Sequence, residues 1–444
     1  MQSHRQSRRR VWGALAVSAV IAFVGCSSDG KKTADGTSAP TSPAGTDAPG
    51  TSATPGTDGG TGDTLGCGLA NGEKATGDPI VLGAVVGATG PADFSSASQG
   101  AQAYFDCVNA NGGINGRPIE YKVEDDGWDP EKAVTVAKKL VEDDNVVGMV
   151  GSTSFVECAA NADYYAEQGV AVIAGVGVPR ECFFSSNIAP VNQGPRLSGI
   201  GAAQYAKEQG AKTMACIANV IPNFGGWVCQ GIEAWGKENG VEVKSFNGQA
   251  DLSDGETIMQ QALAINPDAI VVVEAGPGVS GYLKIAEKLG ATVKFYGPTS
   301  AYDKAFPDAV GEHWFGKFPA EIEFNTMDST GPDNTLWQAV MAKYGPDAPI
   351  DSFSQGGFLS AKIAVDALLK LDPAKIDRES VTAAFIGVAD YSSDLVCGKW
   401  SFGEGDHHNA NHTGRIVELT ADGGWKVAKD CFDIPDPEVA DLIG

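Results

Sequence analysis

The chain has 444 residues, with 32 Lys and Arg against 56 Asp and Glu and a formal net charge of −24. A surface this acidic argues against nucleic acid as a partner and against adhesion to anionic lipid through the protein surface. The length exceeds what one hydrophobic core usually reaches, so two domains are the default expectation. At the N-terminus, Arg5, Arg8, Arg9 and Arg10 form a basic segment, Val11 to Val24 an apolar run broken only by small residues, and Gly25-Cys26 follows at once. That is the order of a secretory signal peptide, expected over 1–25, and the run is too short to serve as a membrane span.

The end of that run resembles the bacterial lipobox, in which a bulky residue and two small ones precede a cysteine. Phe23 and Val24 depart from the usual Leu and small residue. The resemblance implies cleavage behind Gly25, a lipid on Cys26, and a protein anchored to the cell membrane on its outer side; ordinary secretion with Cys26 free or paired is the other reading. Ser27 to Thr64 has no aromatic residue and is built mainly of Gly, Ser, Thr, Ala, Pro and Asp, which cannot repay the entropy of ordering a backbone. With Cys26 it forms a disordered tether over 26–64, roughly 35 Å from end to end as a flexible coil. Residues 65–77 are a lead-in to the folded body.

The body then alternates strand and helix. The spacing predicts a strand over Ile80 to Val86, a helix over 96–110, a strand over 119–124 and a helix opened by Asp129-Pro130 as N-cap and first residue. A strand at Val146 to Val150, a helix over 155–168 and a strand at 170–174 follow. The pattern restarts after Pro195: helix 196–209, strand 213–217, helix 226–239, strand 241–246, helix 255–264, strand 269–273, helix 279–289 and strand 293–296. Apolar strands between amphipathic helices mean parallel sheets covered on both faces, and two successive runs mean two such lobes. Ligands in open α/β sheets bind beyond the carboxyl ends of the strands. That directs attention to 87–95, 151–154, 174–180, 218–226, 274–278 and 297–303. Of nine cysteines, eight lie past Cys26, and an even number in an exported chain suggests disulfides. Clustering in sequence pairs Cys67 with Cys107, Cys158 with Cys182, Cys216 with Cys229 and Cys397 with Cys431, although connectivity is formally open.

Val85-Val86-Gly87-Ala88-Thr89-Gly90-Pro91, the loop Asn111-Gly112-Gly113-Ile114-Asn115-Gly116-Arg117-Pro118, and Asp125-Asp126 with Asp129-Pro130 resemble the first lobe of the branched-chain amino acid binding proteins of ABC transporters. Gly151-Ser152-Thr153-Ser154, Pro267-Asp268-Ala269-Ile270 and Tyr296-Gly297-Pro298 extend the likeness, which covers roughly 78–432. It implies a type I periplasmic-binding fold: two Rossmann-like α/β/α lobes joined by three crossovers. Lobe one would be 78–193 with 320–398, lobe two 194–319 with 399–432, and 433–444 a C-terminal tail. The pair Cys158–Cys182 also looks like a disulfide of that family's first lobe.

The same resemblance places a ligand site. Ser152, Thr153 and Ser154, between a strand and a helix N-terminus, would hold a carboxylate, and a structural cap is the other reading of the same residues. Gly175, Gly177 and Val178 fall in the segment that meets an ammonium, with Val178 where a threonine hydroxyl is usual. Phe224 would lie over the ligand from lobe two, and Phe94 is a further candidate. Thr299 stands where the family has a glutamate facing the amine, so Glu274 either replaces that acid or the ligand lacks an ammonium. No nucleophile elbow, phosphate-binding loop or dinucleotide fingerprint occurs, so the expectation is not an enzyme, with no cofactor and no metal. The His-rich stretch 404–412 reads as a surface loop. Expected partners are a small-molecule solute, an ABC permease and the membrane through the N-terminal lipid. The function implied is solute capture for an ABC importer by closure of two lobes, with a branched-chain or other hydrophobic amino acid favoured; a small organic acid or amide receptor for sensing or uptake is the alternative.

Overall fold

The computed structural model describes residues 65–436 apart from 410, together with 438. The signal peptide, Cys26 and the tether expected from sequence lie outside these. The chain first forms β1 (Ile80–Val86), α1 (Ser96–Ala110), β2 (Ile119–Asp125), α2 (Pro130–Lys138), β3 (Gly148–Val150), α3 (Glu157–Glu167), β4 (Val172–Ala174) and β5 (Ile188–Pro190). These strands make one parallel sheet in the order β2-β1-β3-β4-β5. Next come α4 (Pro195–Glu208), β6 (Thr213–Asn219), α5 (Gly225–Asn239), β7 (Glu242–Gly248), α6 (Gly255–Ala264), β8 (Ala269–Val273), α7 (Gly276–Lys288), β9 (Lys294–Tyr296), α8 (Phe306–Val310) and β10 (Pro319–Ile322). The second parallel sheet runs β7-β6-β8-β9. The chain returns to the first lobe as α9 (Pro332–Tyr344), α10 (Ser352–Leu368), α11 (Arg378–Ile386) and the short pair β11 (Tyr391–Ser392) and β12 (Lys399–Trp400). It ends in β13 (Thr413–Leu419) and β14 (Trp425–Asp433), which join β10 in an antiparallel sheet.

Local chemistry accounts for much of this. Every residue of β8, Ala-Ile-Val-Val-Val, is buried, as a strand covered by helices on both faces requires. Asp129 accepts hydrogen bonds from the N–H groups of Glu131 and Lys132, with Pro130 in the first helical turn, which starts α2. Four disulfides join Cys67 to Cys107, Cys158 to Cys182, Cys216 to Cys229 and Cys397 to Cys431. The cysteines of the first three of these pairs are buried, whereas Cys431 is exposed.

The lobes meet differently from the sequence expectation at two points. Residue 320, expected to open the return to lobe one, lies inside β10, and Gly297 and Ala320 form a parallel bridge that docks β10 beside β9. Backbone bonding thus keeps the chain in lobe two as far as Ile322. Residues 399–400, expected in lobe two, pair with β11, and the Trp400 indole donates to the Pro190 carbonyl of the first lobe. The expected tail from 433 onward also begins as structure: Asp433 ends β14, and Asp436 is fully buried in an ion pair with Arg196. Arg196 also donates to the Trp227 carbonyl at 2.6 Å, so the buried charges are hydrogen-bonded as well as paired.

Two crossings lie side by side around a buried carboxyl. Glu323 accepts from the N–H groups of Gln193 and Gly194, both at 3.1 Å, and from Asn192 at 3.4 Å. Asn411 reaches the carbonyls of Val191 and Glu323 from the third. Burial pushes Glu323 up to about 7 and raises Glu321, which accepts from Gln193 and Ser198, well above the carboxylate range.

Candidate functional site

Between the lobes, at the carboxyl ends of the strands, lies a cavity with about 40 Å³ open to the centre of a water molecule. The first lobe supplies Phe94, Phe155, Val176, Gly177, Val178 and Phe353 to its wall. The second supplies Phe224, Val273, Glu274, Ala275, Pro298, Thr299 and Ser300, and the crossings add Asn192, Pro195, Ser198 and Glu323. A roomier cavity of about 520 Å³, walled by Tyr205, Lys294, Trp314 and Lys317, lies at the other end of the second lobe's strands. The interlobe cavity is the site candidate, because it sits where open α/β sheets bind ligands and converges polar groups on an apolar space.

Aromatic rings form its first-lobe wall. Phe94 packs on Phe155 and Phe353 with centroids 5.1 and 5.5 Å apart, and Trp128 stacks on Phe155 at 4.3 Å. Phe155 then meets Phe224 of the second lobe edge-on at 4.8 Å, and the Arg180 N–H donates across the lobes to the Asn223 carbonyl at 2.9 Å. The lobes are therefore closed on each other at this edge.

Glu274 directly follows β8 and stands two residues before α7. One carboxyl oxygen accepts from Asn219 at 2.9 Å; the other is buried without a partner, and burial pushes the group up to about 8. Only Gly278 fits opposite, since a Cβ there would stand 2.9 Å from the Glu274 Cβ. The Thr299 hydroxyl is also buried without a partner, while its N–H donates to Ser198. The cavity thus holds an apolar chamber with two unsatisfied polar atoms on its second-lobe side, the condition under which a bound donor gains most.

Ser152, Thr153, Ser154 and Gly175 do not line it. The Ser154 hydroxyl accepts from the N–H groups of Val156 and Glu157 at 3.0 and 3.1 Å and donates to Asp126, so it caps α3 inwardly. Ser152 accepts from the Val85 N–H and donates to Glu157, which also accepts from the Tyr165 hydroxyl. Thr153 bridges Val86 and Val176 through its backbone, and the Gly175 N–H donates to the Ser152 carbonyl. The carboxyls of Asp126 and Glu157, the latter pushed up to about 8 by burial, thus occupy the Ser154 and Ser152 hydroxyls that the resemblance assigns to a ligand, while the Thr153 hydroxyl is buried without a partner. Gly177 and Asn192 exchange hydrogen bonds through the Gly177 N–H and carbonyl, so that carbonyl already has a donor. Val178 offers only its apolar side chain to the chamber.

Phe94, Gly177, Val178, Phe224, Glu274 and Thr299 all stand on the cavity. Phe155, Phe353, Asn192, Ser198 and Glu323 also do and were not read from the sequence. Phe155 carried a local signal, an aromatic residue directly after the polar triplet at a strand end; Phe353 carried none. Among the described residues no group of three or more His, Cys, Asp or Glu could hold a metal ion.

The sequence pattern of the periplasmic binding protein family matches residues 79–424. The Leu/Ile/Val-binding protein of Escherichia coli K12 is 24% identical over 274 residues, 59% of this chain and 71% of that one. Among solved structures, a branched chain amino acid ABC transporter from Thermus thermophilus with bound valine superposes with a TM-score of 0.70 at 17% identity, covering 80% of this chain and 97% of that one. A fatty acid ABC transporter substrate-binding protein from Thermomonospora curvata gives 0.71 at 21%, covering 82% and 97%. Two α/β lobes, three crossings and a closed chamber between strand ends are what such a match requires, and this chain belongs to the periplasmic binding protein family, whose members bind solutes without catalysis.

Proposed function

We propose that the chain is the extracytoplasmic solute receptor of an ABC importer, anchored by a lipid on Cys26, and that it captures a small solute with an apolar body and a hydrogen-bond-donating end. One observation carries the solute class: Glu274 presents a buried, unpartnered carboxyl oxygen to a chamber lined by two carboxyls and by no Lys, Arg or His. A free carboxylate would enter beside Glu274 and Glu323 with no cation to offset its desolvation. An amine or amide would instead give Glu274 its missing donor. Capture follows from closure, because the closed form touches the solute with both lobes and is selected by it.

A branched-chain or other hydrophobic amino acid is the second reading. It is supported by the relatives named for leucine, isoleucine and valine and by the aliphatic and aromatic walls. Isothermal titration with isopentylamine, isovaleramide, leucine, isoleucine, valine, phenylalanine and isovalerate separates the two. Binding of the amine or amide with silence from the amino acids is the expected result. Tight binding of leucine with no response to the amine would overturn the first reading in favour of the second.

A further inference from the structure

Resting on that reading of the cleft, we propose that the solute is a linear diamine whose second ammonium sits in an adjoining vestibule walled by Asp93, Asp303 and Asp351. The vestibule has about 90 Å³ open to the centre of a water molecule and shares Phe94, Thr299, Ser300 and Phe353 with the Glu274 chamber. The two spaces are therefore neighbours across one wall, and none of the residues lining either is Lys, Arg or His.

The vestibule carboxyls come from opposite lobes. Asp303 follows β9 in the second lobe, whereas Asp93 and Asp351 precede α1 and α10 in the first, and the backbones of Asp303 and Asp351 pair in an antiparallel bridge. Closing the lobes brings like charges together, a cost that a cation held between them removes. Burial raises both Asp303 and Asp351 from the ordinary aspartate value, and the charge of Asp303 adds to the shift on Asp351. The connecting wall is built for the remainder of such a ligand. Thr299, 6% exposed, has an unpartnered hydroxyl, and Phe94 and Phe353 line both spaces with aromatic rings that suit methylenes or an ammonium. One ammonium at Glu274 and a second between Asp303 and Asp351 would satisfy each lobe with one molecule.

The test is isothermal titration of the mature chain with 1,5-diaminopentane, pentylamine and leucine. The diamine is expected to bind about tenfold or more tighter than pentylamine, and Asp303→Asn to cut that preference below about threefold. Asparagine keeps the acceptor that caps α8, where Asp303 takes the Ala305 and Phe306 N–H groups, so the variant removes charge without removing the cap. Should it nevertheless fail to fold, Asp93→Asn, at an exposed position, is expected to lower the same preference. Equal affinity for diamine and monoamine, or a preference unchanged in the folded variant, overturns the vestibule while the cleft reading stands. Binding of leucine alone overturns both.

Discussion

At the scale of single residues, the proposed function turns on Glu274. Burial pushes its carboxyl up to about 8, so at neutral pH it is mostly protonated. An ammonium needs the carboxylate, and binding must then expel that proton. Affinity for an amine should tighten by up to about tenfold per pH unit between 6 and 8 and level off above, where the proton is already gone. Isovaleramide, which is uncharged, should show no such rise. Titrations of isopentylamine across this range check the linkage, and an affinity independent of pH would mean that the amine does not meet Glu274. The same shift acts on the fold with the opposite sense. Stability contributed by the protonated group is complete below the ordinary glutamate range and is lost as pH rises through about 8.

At the scale of elements, the cleft's aromatic wall depends on how closely α1 and α10 cross. A Cβ at Gly357 would stand 1.7 Å from the Ala97 carbonyl oxygen, and one at Gly100 2.3 Å from that of Ser354, so backbone packs directly on backbone there. Phe94 lies just before α1 and Phe353 at the start of α10, so this crossing sets the distance between the two rings. Gly357→Ala must push the helices apart and should destabilise the protein by about 2–3 kcal/mol. Urea denaturation followed by circular dichroism measures it, and an unchanged midpoint would show that the crossing yields without cost.

At the scale of the whole molecule, chain crossings between the lobes gather around Glu321 and Glu323, both fully buried and hydrogen-bonded to the segment Asn192 to Ser198. Among the described residues no helix is long and apolar enough to cross a membrane. In the proposed function, attachment falls to the lipid on Cys26. Cys26→Ser should move the protein from the membrane fraction to the soluble one while leaving solute affinity unchanged. Blotting of fractionated cells reads the first and titration the second; full retention in the membrane fraction would reject the lipid anchor.

The sequence by itself determined what depends on near neighbours. Period and composition placed the strands and helices up to β9, apart from β5, and Asp129-Pro130 marked the start of α2, because burial pattern and capping are local. The cysteines nearest in sequence are those joined in the structure. Phe94, Phe224 and Thr299 were named by the resemblance to the branched-chain amino acid binding proteins, and Glu274 by its place after a strand, where an open α/β sheet exposes its chemistry. Beyond β9 the sequence pattern did not resolve β10 to β14: β10, β11 and β12 are only two to four residues long and carry little periodicity, and the antiparallel order of β10, β13 and β14 is set by partners distant in the chain. Only the tertiary structure decided the fate of the polar triplet. A serine hydroxyl serves a ligand or its own fold equally well, and packing put Asp126 and Glu157 against Ser152 and Ser154 before any solute could claim them. Phe353 joined Phe94 for the same kind of reason: the two are far apart in the chain, and a helix crossing narrow enough for glycine brings them onto one wall.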